Sequence, residues 1–407
     1  MPERFKRILI VVGFIASVFG IAAALYFVFF RPAQPSPTVQ PGGTEETGGA
    51  LPSSGTAGQR PETVPTTNGG LPPASEVAGG GRTVTTAITQ GAVADVALSG
   101  SGSSVNFYNP KDGKFYTVDK NGDLVLLSET QFPDAENVEW NKDADKAVIE
   151  FPDGSNVVYD FDTERQTTLP SHWEEFGFSP ISDEIEAKSM AVDPNNRWLV
   201  TSSSDGSNVK AFQPLGENGD KVTISWSPND QIVAFSDTAD SLSGGLDRKM
   251  IIPIGLNGEN YPGLTVEGLD FIPLWTPNGK QLLYSVAGDY SDNKPLLWLV
   301  DATPASMGQN RHSIGLNTWA DKCAFLDSST AYCAVPRNLP NNAGMQRSLY
   351  ADYPDTVYRI DVAQNKITLV AVPEEDVAMT SLSVSTDGSM LYFVSGNDGT
   401  LQSIRLK

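Results

Sequence analysis

The sequence predicts an all-β fold, a β-propeller of seven blades, and three observations predict it. One segment is restated along the chain: ISWSPNDQIVAFS at 224–236 returns as GFSPISDEIEAKS from Gly177, LWTPNGKQLLYS from Leu274 and LSVSTDGSMLYFVS from Leu382. Taking the residue in the place of Trp226 gives Leu98, Trp140, Phe178, Trp226, Trp275, Phe325 and Val384, at intervals of 42, 38, 48, 49, 50 and 59 residues. A period of about 40 to 50 residues holding four short strands is the mark of propeller blades. Beyond Arg82, short apolar runs alternate with Asp-Gly, Asn-Gly and Asn-Asp turns, with no convincing amphipathic helix among them. Six or eight blades remain the alternatives.

Taken in order, the chain opens on residues 1–7, expected in the cytoplasm, and an uncharged apolar run, ILIVVGFIASVFGIAAALYFVFF, at 8–30. That run is long enough to cross a bilayer as a helix. Arg4, Lys6 and Arg7 precede it and Arg31 follows, which predicts a single-pass anchor with its N-terminus inside. A signal peptide cut near Ala22-Ala23-Ala24 is the rival reading, but the apolar run continues through Leu25 to Phe30, longer than a usual signal core. No cysteine lies nearby, which excludes a lipid-anchored lipoprotein. Residues 31–82 are dominated by Pro, Gly, Ser and Thr; such a stretch cannot bury enough surface to offset its backbone entropy and reads as a disordered tether, its ends about 40 Å apart. Residues 83–407 are the expected propeller.

Within a blade, the apolar residue ends an inner strand. Ser/Thr-Pro followed by Asn, Asp or Gly makes a tight turn, and the next run, such as Gln231 to Phe235, is the second strand. Tryptophan in this place reads as blade packing. After Val384 only 23 residues remain, room for three strands. The free β-rich stretch Thr83-Val84-Thr85-Thr86-Ala87-Ile88 is therefore expected to supply the fourth and close the ring. Cys323 and Cys333 flank AFLDSSTAY, a strand-turn-strand segment; a three-residue loop at 327–329 sets them opposite each other, within disulfide reach. A buried pair of free thiols is the alternative.

The turn followed by its apolar strand resembles the TolB-type, WD-like propeller repeats of bacterial envelope proteins, from about residue 95 onward. The first and sixth blades depart from it, with Leu98-Ser99-Gly100 and Phe325-Leu326-Asp327 in place of the turn. The resemblance implies a fold and an envelope setting; TolB-type proteins carry an extra domain that is not seen here, and partner identity does not transfer.

The whole chain has 407 residues and a formal net charge of −21, from 28 basic and 49 acidic residues. Residues 1–82 hold six basic and five acidic groups, which leaves 22 and 44 in the remainder, a net −22. So acidic a surface repels phosphate backbones, and no nucleic-acid partner is expected. Short first turns lie on one face of a propeller. The long insertions at 236–248, 288–294 and 336–355 lie on the other, with the blade-to-blade links. That loop face is the expected partner-binding surface, carried by His172, Trp173, Asp240, Asp247, Arg248, Asp289, Tyr290, Arg337, Arg347, Tyr350, Tyr353, Glu374 and Glu375; tyrosine with arginine is the composition of binding hot spots. Catalysis has less to stand on. The two histidines, His172 and His312, lie far apart in sequence, and no Gly-x-Ser-x-Gly elbow is present. Asp119-Lys120-Asn121-Gly122-Asp123 lacks the later ligands of a calcium loop and reads as a hairpin turn. No metal, cofactor or catalytic set is expected. The reading is a membrane-tethered extracytoplasmic scaffold for an envelope protein, peptide or glycan; a surface hydrolase or lyase with carboxylates at the channel mouth is the alternative.

Overall fold

The computed structural model describes residues 73–119, 122–242 and 248–407; the expected membrane helix lies outside them. Seven sheets form the blades, five of them of consecutive antiparallel strands and two that also take in a strand from the start of the described chain. Their innermost strands are Ala94–Leu98, Asn137–Trp140, Trp173–Phe178, Val222–Ile224, Leu269–Trp275, Cys323–Asp327 and Met379–Val384. Five of the seven residues expected to end an inner strand do so. Trp226 lies two residues beyond its strand, and Phe325 falls inside a strand that continues to Asp327.

The repeated turn locks itself. Ser227 Oγ accepts from the backbone N–H of Gln231 and Ile232 at 3.1 and 2.9 Å and donates to Asn229 at 2.7 Å. Thr276 and Ser385 repeat the arrangement around Asn278 and Asp387. Neighbouring turns then mesh. Asn229 Nδ2 donates to Gly279 O at 3.0 Å, Gly100 N to Asp143 O at 2.8 Å, and Thr386 N to Gly102 O at 3.1 Å. The tryptophans tie blades as well as fill them: Trp140 Nε1 reaches Asp95 O of the preceding blade at 2.6 Å, and Trp275 Nε1 reaches Ser225 O at 3.1 Å. Between blades 1 and 2 the packing is aromatic, with Phe115 edge-on to Trp140, Phe132 and Phe161.

Closure follows the strand count. Thr86–Ala92 pairs antiparallel with Thr400–Arg405 as the outermost strand of blade 7, with an irregularity between Ala87 and Ala92. The tether boundary expected at Arg82 needs correction. Gly81–Thr83 adds in parallel to the outer strand of blade 6, Lys366–Pro373, and Ser75 bridges Thr83. The added strand is held by its backbone, so its Gly-rich composition is no obstacle. Cys323 and Cys333 are a cross-strand pair with Cα atoms 4.0 Å apart, joined as a disulfide. The turn between their strands is two residues, not three, because a bulge between Phe325 and Asp327 takes up the extra one.

Candidate binding face

Each inner strand starts on the loop face. At that end the inner strands of blades 1, 3, 5 and 7 carry a register shift, and within it Asp95, Glu175, Asp270 and Ser381 hold φ of 51°, 52°, 58° and 50°. A left-handed residue other than glycine inside a strand is strained, and a bulge re-aims side chains. Three of the four are acidic, so the bulges bring carboxylates to the loop-face end of the inner strands.

These carboxylates meet different surroundings. Glu175 pairs with Lys188 Nζ at 2.6 Å, and that lysine is 2% exposed. Near Asp270, Arg347 pairs with Asp321 at 2.5 Å and lies 5.3 Å from the centre of the Trp319 ring. Blades 1 and 2 are different. Burial pushes the Asp95 carboxyl up to about 6, opposed by the backbone N–H of Val138. Burial also pushes Glu139 up to about 8, with Asp95 and Glu150 adding repulsion. Among the described residues no group of three ligand side chains is placed to hold a metal ion.

Over blades 5 and 6 the long loops interlock. Asn342 N donates to Asp292 O at 2.8 Å, Gly344 N to Asn293 O at 2.9 Å, and Asn293 Nδ2 to Asn342 Oδ1 at 3.0 Å. Gly344 is required by this approach: a Cβ there would stand 2.8 Å from Asn293 O. Beneath, Trp319, Leu339 and Ala343 form a small core on which Tyr350 and Tyr353 pack. Above it, Met345 and Leu349 are 49% and 67% exposed on consecutive 3-10 turns.

The expected face residues divide accordingly. Asp289, Tyr290, Arg347, Tyr350 and Tyr353 belong to the interlocked loops, where Tyr350 and Tyr353 meet edge-on at 5.2 Å and Tyr290 meets Trp298 at 5.5 Å. Arg337 pairs with Asp376 at 3.0 Å, and Glu374 and Glu375 are exposed on the next link. His172, Asp240 and Arg248 are exposed on blades 3 and 4, away from that platform, Arg248 3.9 Å from Glu267. Trp173 needs correction: it is 4% exposed and packs with Val148, Ile185 and Val200 between blades, so it presents no surface. Asp247 lies outside the described residues. Sequence reasoning missed Asp95, Glu139 and Asp270, and also Met345 and Leu349. An acidic residue just before an inner-strand tryptophan, as in NVEW at 137–140, was the available signal for Glu139.

No protein-family model matches the sequence, and neither does any curated protein. Solved structures do. Oligogalacturonate lyase from Vibrio parahaemolyticus aligns with a TM-score of 0.54 and 12% identity over 79% of this chain and 93% of its own. The Cps50 (Swd1) β-propeller domain of Myceliophteria thermophila aligns at 0.52 and 10% identity over 80% of this chain and 100% of its own. TolB from Acinetobacter baumannii aligns at 0.43 and 12% identity over 66% of this chain and 63% of its own. The first two likenesses, at such identities, show the fold, and the chain is a seven-bladed β-propeller.

Proposed function

We propose that the chain is a membrane-tethered, extracytoplasmic scaffold that binds a protein or peptide of the cell envelope through the loop face over blades 5 and 6. The observation that carries this reading is the interlock: loop-to-loop hydrogen bonds hold the platform while Met345 and Leu349 stay exposed on it. Loops fixed before binding do not lose that freedom on contact, so apolar burial converts more fully into affinity. The apolar run at 8–30 supports the tether. A buried disulfide between Cys323 and Cys333 suits an oxidising compartment. The test is capture from envelope extract by the full chain, beside a variant carrying Met345→Asp and Leu349→Asp. A protein retained by the parent and lost by the variant, at unchanged melting temperature, supports the reading; equal capture by both refutes it.

A second reading rests on Asp95 and Glu139. Neighbouring carboxyls raised to about 6 and about 8 can hold a proton near neutrality, as general acid–base chemistry needs. The propeller of an oligogalacturonate lyase shares this fold. Turnover of an acidic polysaccharide that is abolished by Glu139→Gln would favour it over the scaffold.

A further inference from the structure

We propose that the outer edge of blade 1 takes an extended, basic-flanked segment of a partner protein as a fifth strand. The outermost strand there is Leu124–Leu126, and among the described residues nothing pairs with its far side. Leu124 and Val125 are 50% and 48% exposed. An open apolar edge is a template for strand addition unless charge or proline guards it.

The register says which groups are on offer. Leu127 N donates to Phe115 O and Asp119 N to Asp123 O, so residues 115 and 127, and 119 and 123, are hydrogen-bonded pairs. Antiparallel pairs alternate. Thr117 and Val125 are therefore the next such pair, and Val125 spends its N–H and C=O inward. Those of Leu124 and Leu126 point outward, ready for an incoming backbone.

Beside this edge runs a groove of about 810 Å³ at the seam with blade 7, lined by Leu124, Tyr116, Phe107, Val93 and Gly91 among others. Phe107 and Tyr116 are stacked at 5.8 Å and continue as a cross-strand row to Leu126. Alternate side chains of an added strand would extend that row into the groove, while its backbone would bond to Leu124 and Leu126. This is the division of labour in β-strand addition.

Two observations identify the occupant. Blade 6 already carries a fifth strand of this kind, Gly81–Thr83, with Arg82 at its centre donating to Glu374 O at 3.3 Å. Residues 83–407 carry a net charge of −22, from 22 basic and 44 acidic groups, and exposed Asp123 and Glu129 flank the edge strand while Lys111 is the charged residue in the groove, which favours basic groups at the flanks of the segment and opposes a second copy of the chain.

The edge and its groove lie at blades 1 and 7 and share no residue with the platform over blades 5 and 6, so the two proposals fail separately. The probe is a dye-labelled eight-residue peptide alternating lysine and valine, titrated into the solubilised full chain and read by fluorescence anisotropy. Saturable binding is expected, weakened about tenfold by Leu126→Pro, which removes an outward N–H and no internal ladder bond. A loss of about the same size is expected for Leu124→Lys, which leaves every backbone bond intact. Ile181→Ser, at an exposed position on the short-turn face of blade 3, should leave the peptide's affinity unchanged. By hydrogen exchange, the Leu124 and Leu126 amides should slow when peptide is added. Absence of saturable binding, full binding by both edge variants, or self-association through this edge that Leu124→Lys abolishes would each overturn the proposal.

Discussion

Asp355 joins blade 6 to blade 7, and replacing it by alanine tests how the ring is held. The residue is fully buried, and its Oδ2 accepts from Lys322 Nζ at 2.6 Å and from Met379 N at 2.7 Å. Its own N–H donates to Val377 O at 2.9 Å. Lys322 is 4% exposed, so Asp355→Ala strands an ammonium in the interior and leaves the Met379 N–H without an acceptor. Breaking one side of a buried pair costs about 3–5 kcal/mol. The orphaned amide costs about 1–3 kcal/mol and overlaps with that figure, because one oxygen serves both groups. The expected loss is therefore about 3–5 kcal/mol, read as a lower urea midpoint. Replacing the pair together, as Lys322→Met with Asp355→Leu, removes the stranded charge and should leave only the amide's loss of about 1–3 kcal/mol. A double variant as unstable as Asp355→Ala would refute the reasoning, because the stranded ammonium would then not be the source of the cost.

Three further outcomes are expected. Glu139 is raised in the folded chain from 4.5 to about 8, so its contribution to stability is complete below 4.5 and is lost as pH rises toward 8; Glu139→Gln should flatten that part of the stability profile, and an unchanged slope counts against the assignment. Thr89 Oγ1 accepts from the buried Leu401 N at 2.9 Å in the closing strand, so Thr89→Val should cost about 1–3 kcal/mol by calorimetry, whereas a neutral result would mean that this contact does not secure the closure. Cys323→Ala with Cys333→Ala opens a loop of sequence separation 10 and should cost about 2–3 kcal/mol in urea unfolding.

What was legible in the sequence was whatever local pattern controls. The turn residues and the apolar strand after them recur because each blade needs the same side-chain-to-backbone bonds. The counting of strands that placed a closing segment before blade 1 used the same regularity, and the cysteine pairing needed only hairpin arithmetic. Other features depend on neighbours distant in sequence. Residues 75–82 look like tether because they lack apolar side chains, yet strand addition to blade 6 uses backbone groups, which composition does not report. Trp173 was read as part of a link, but it opens the inner strand of its blade and is buried with it. At Glu175 and Ser381 nothing in the residue type announces a left-handed bulge; aspartate, as at Asp95 and Asp270, at least tolerates one.

The same contrast separates the two faces functionally. On the short-turn face, Ser227, Thr276 and Ser385 spend their hydroxyls on their own turns, and Asn229 and Gly100 are used to hold the neighbouring turn. Repetition there is explained by folding alone. The loop face does not repeat: its insertions differ in length and composition from blade to blade, and the turn rule dictates none of them. Within that face, over blades 5 and 6, Arg347 and Asn293 are engaged with Asp321 and Asn342, and Tyr290, Met345 and Leu349 are the exposed large apolar groups. At blades 1 and 2, burial raises Asp95 to about 6 and Glu139 to about 8, so near neutrality Glu139 holds its proton. A partner seated over blades 5 and 6 therefore gains mainly by apolar burial and should be little affected by salt. A cation approaching blades 1 and 2 would meet mainly the Asp95 carboxylate near pH 7 and gain more at higher pH, where Glu139 also ionises, and its binding should weaken as ionic strength rises. The salt dependence of capture thus tells which part of the face a partner uses.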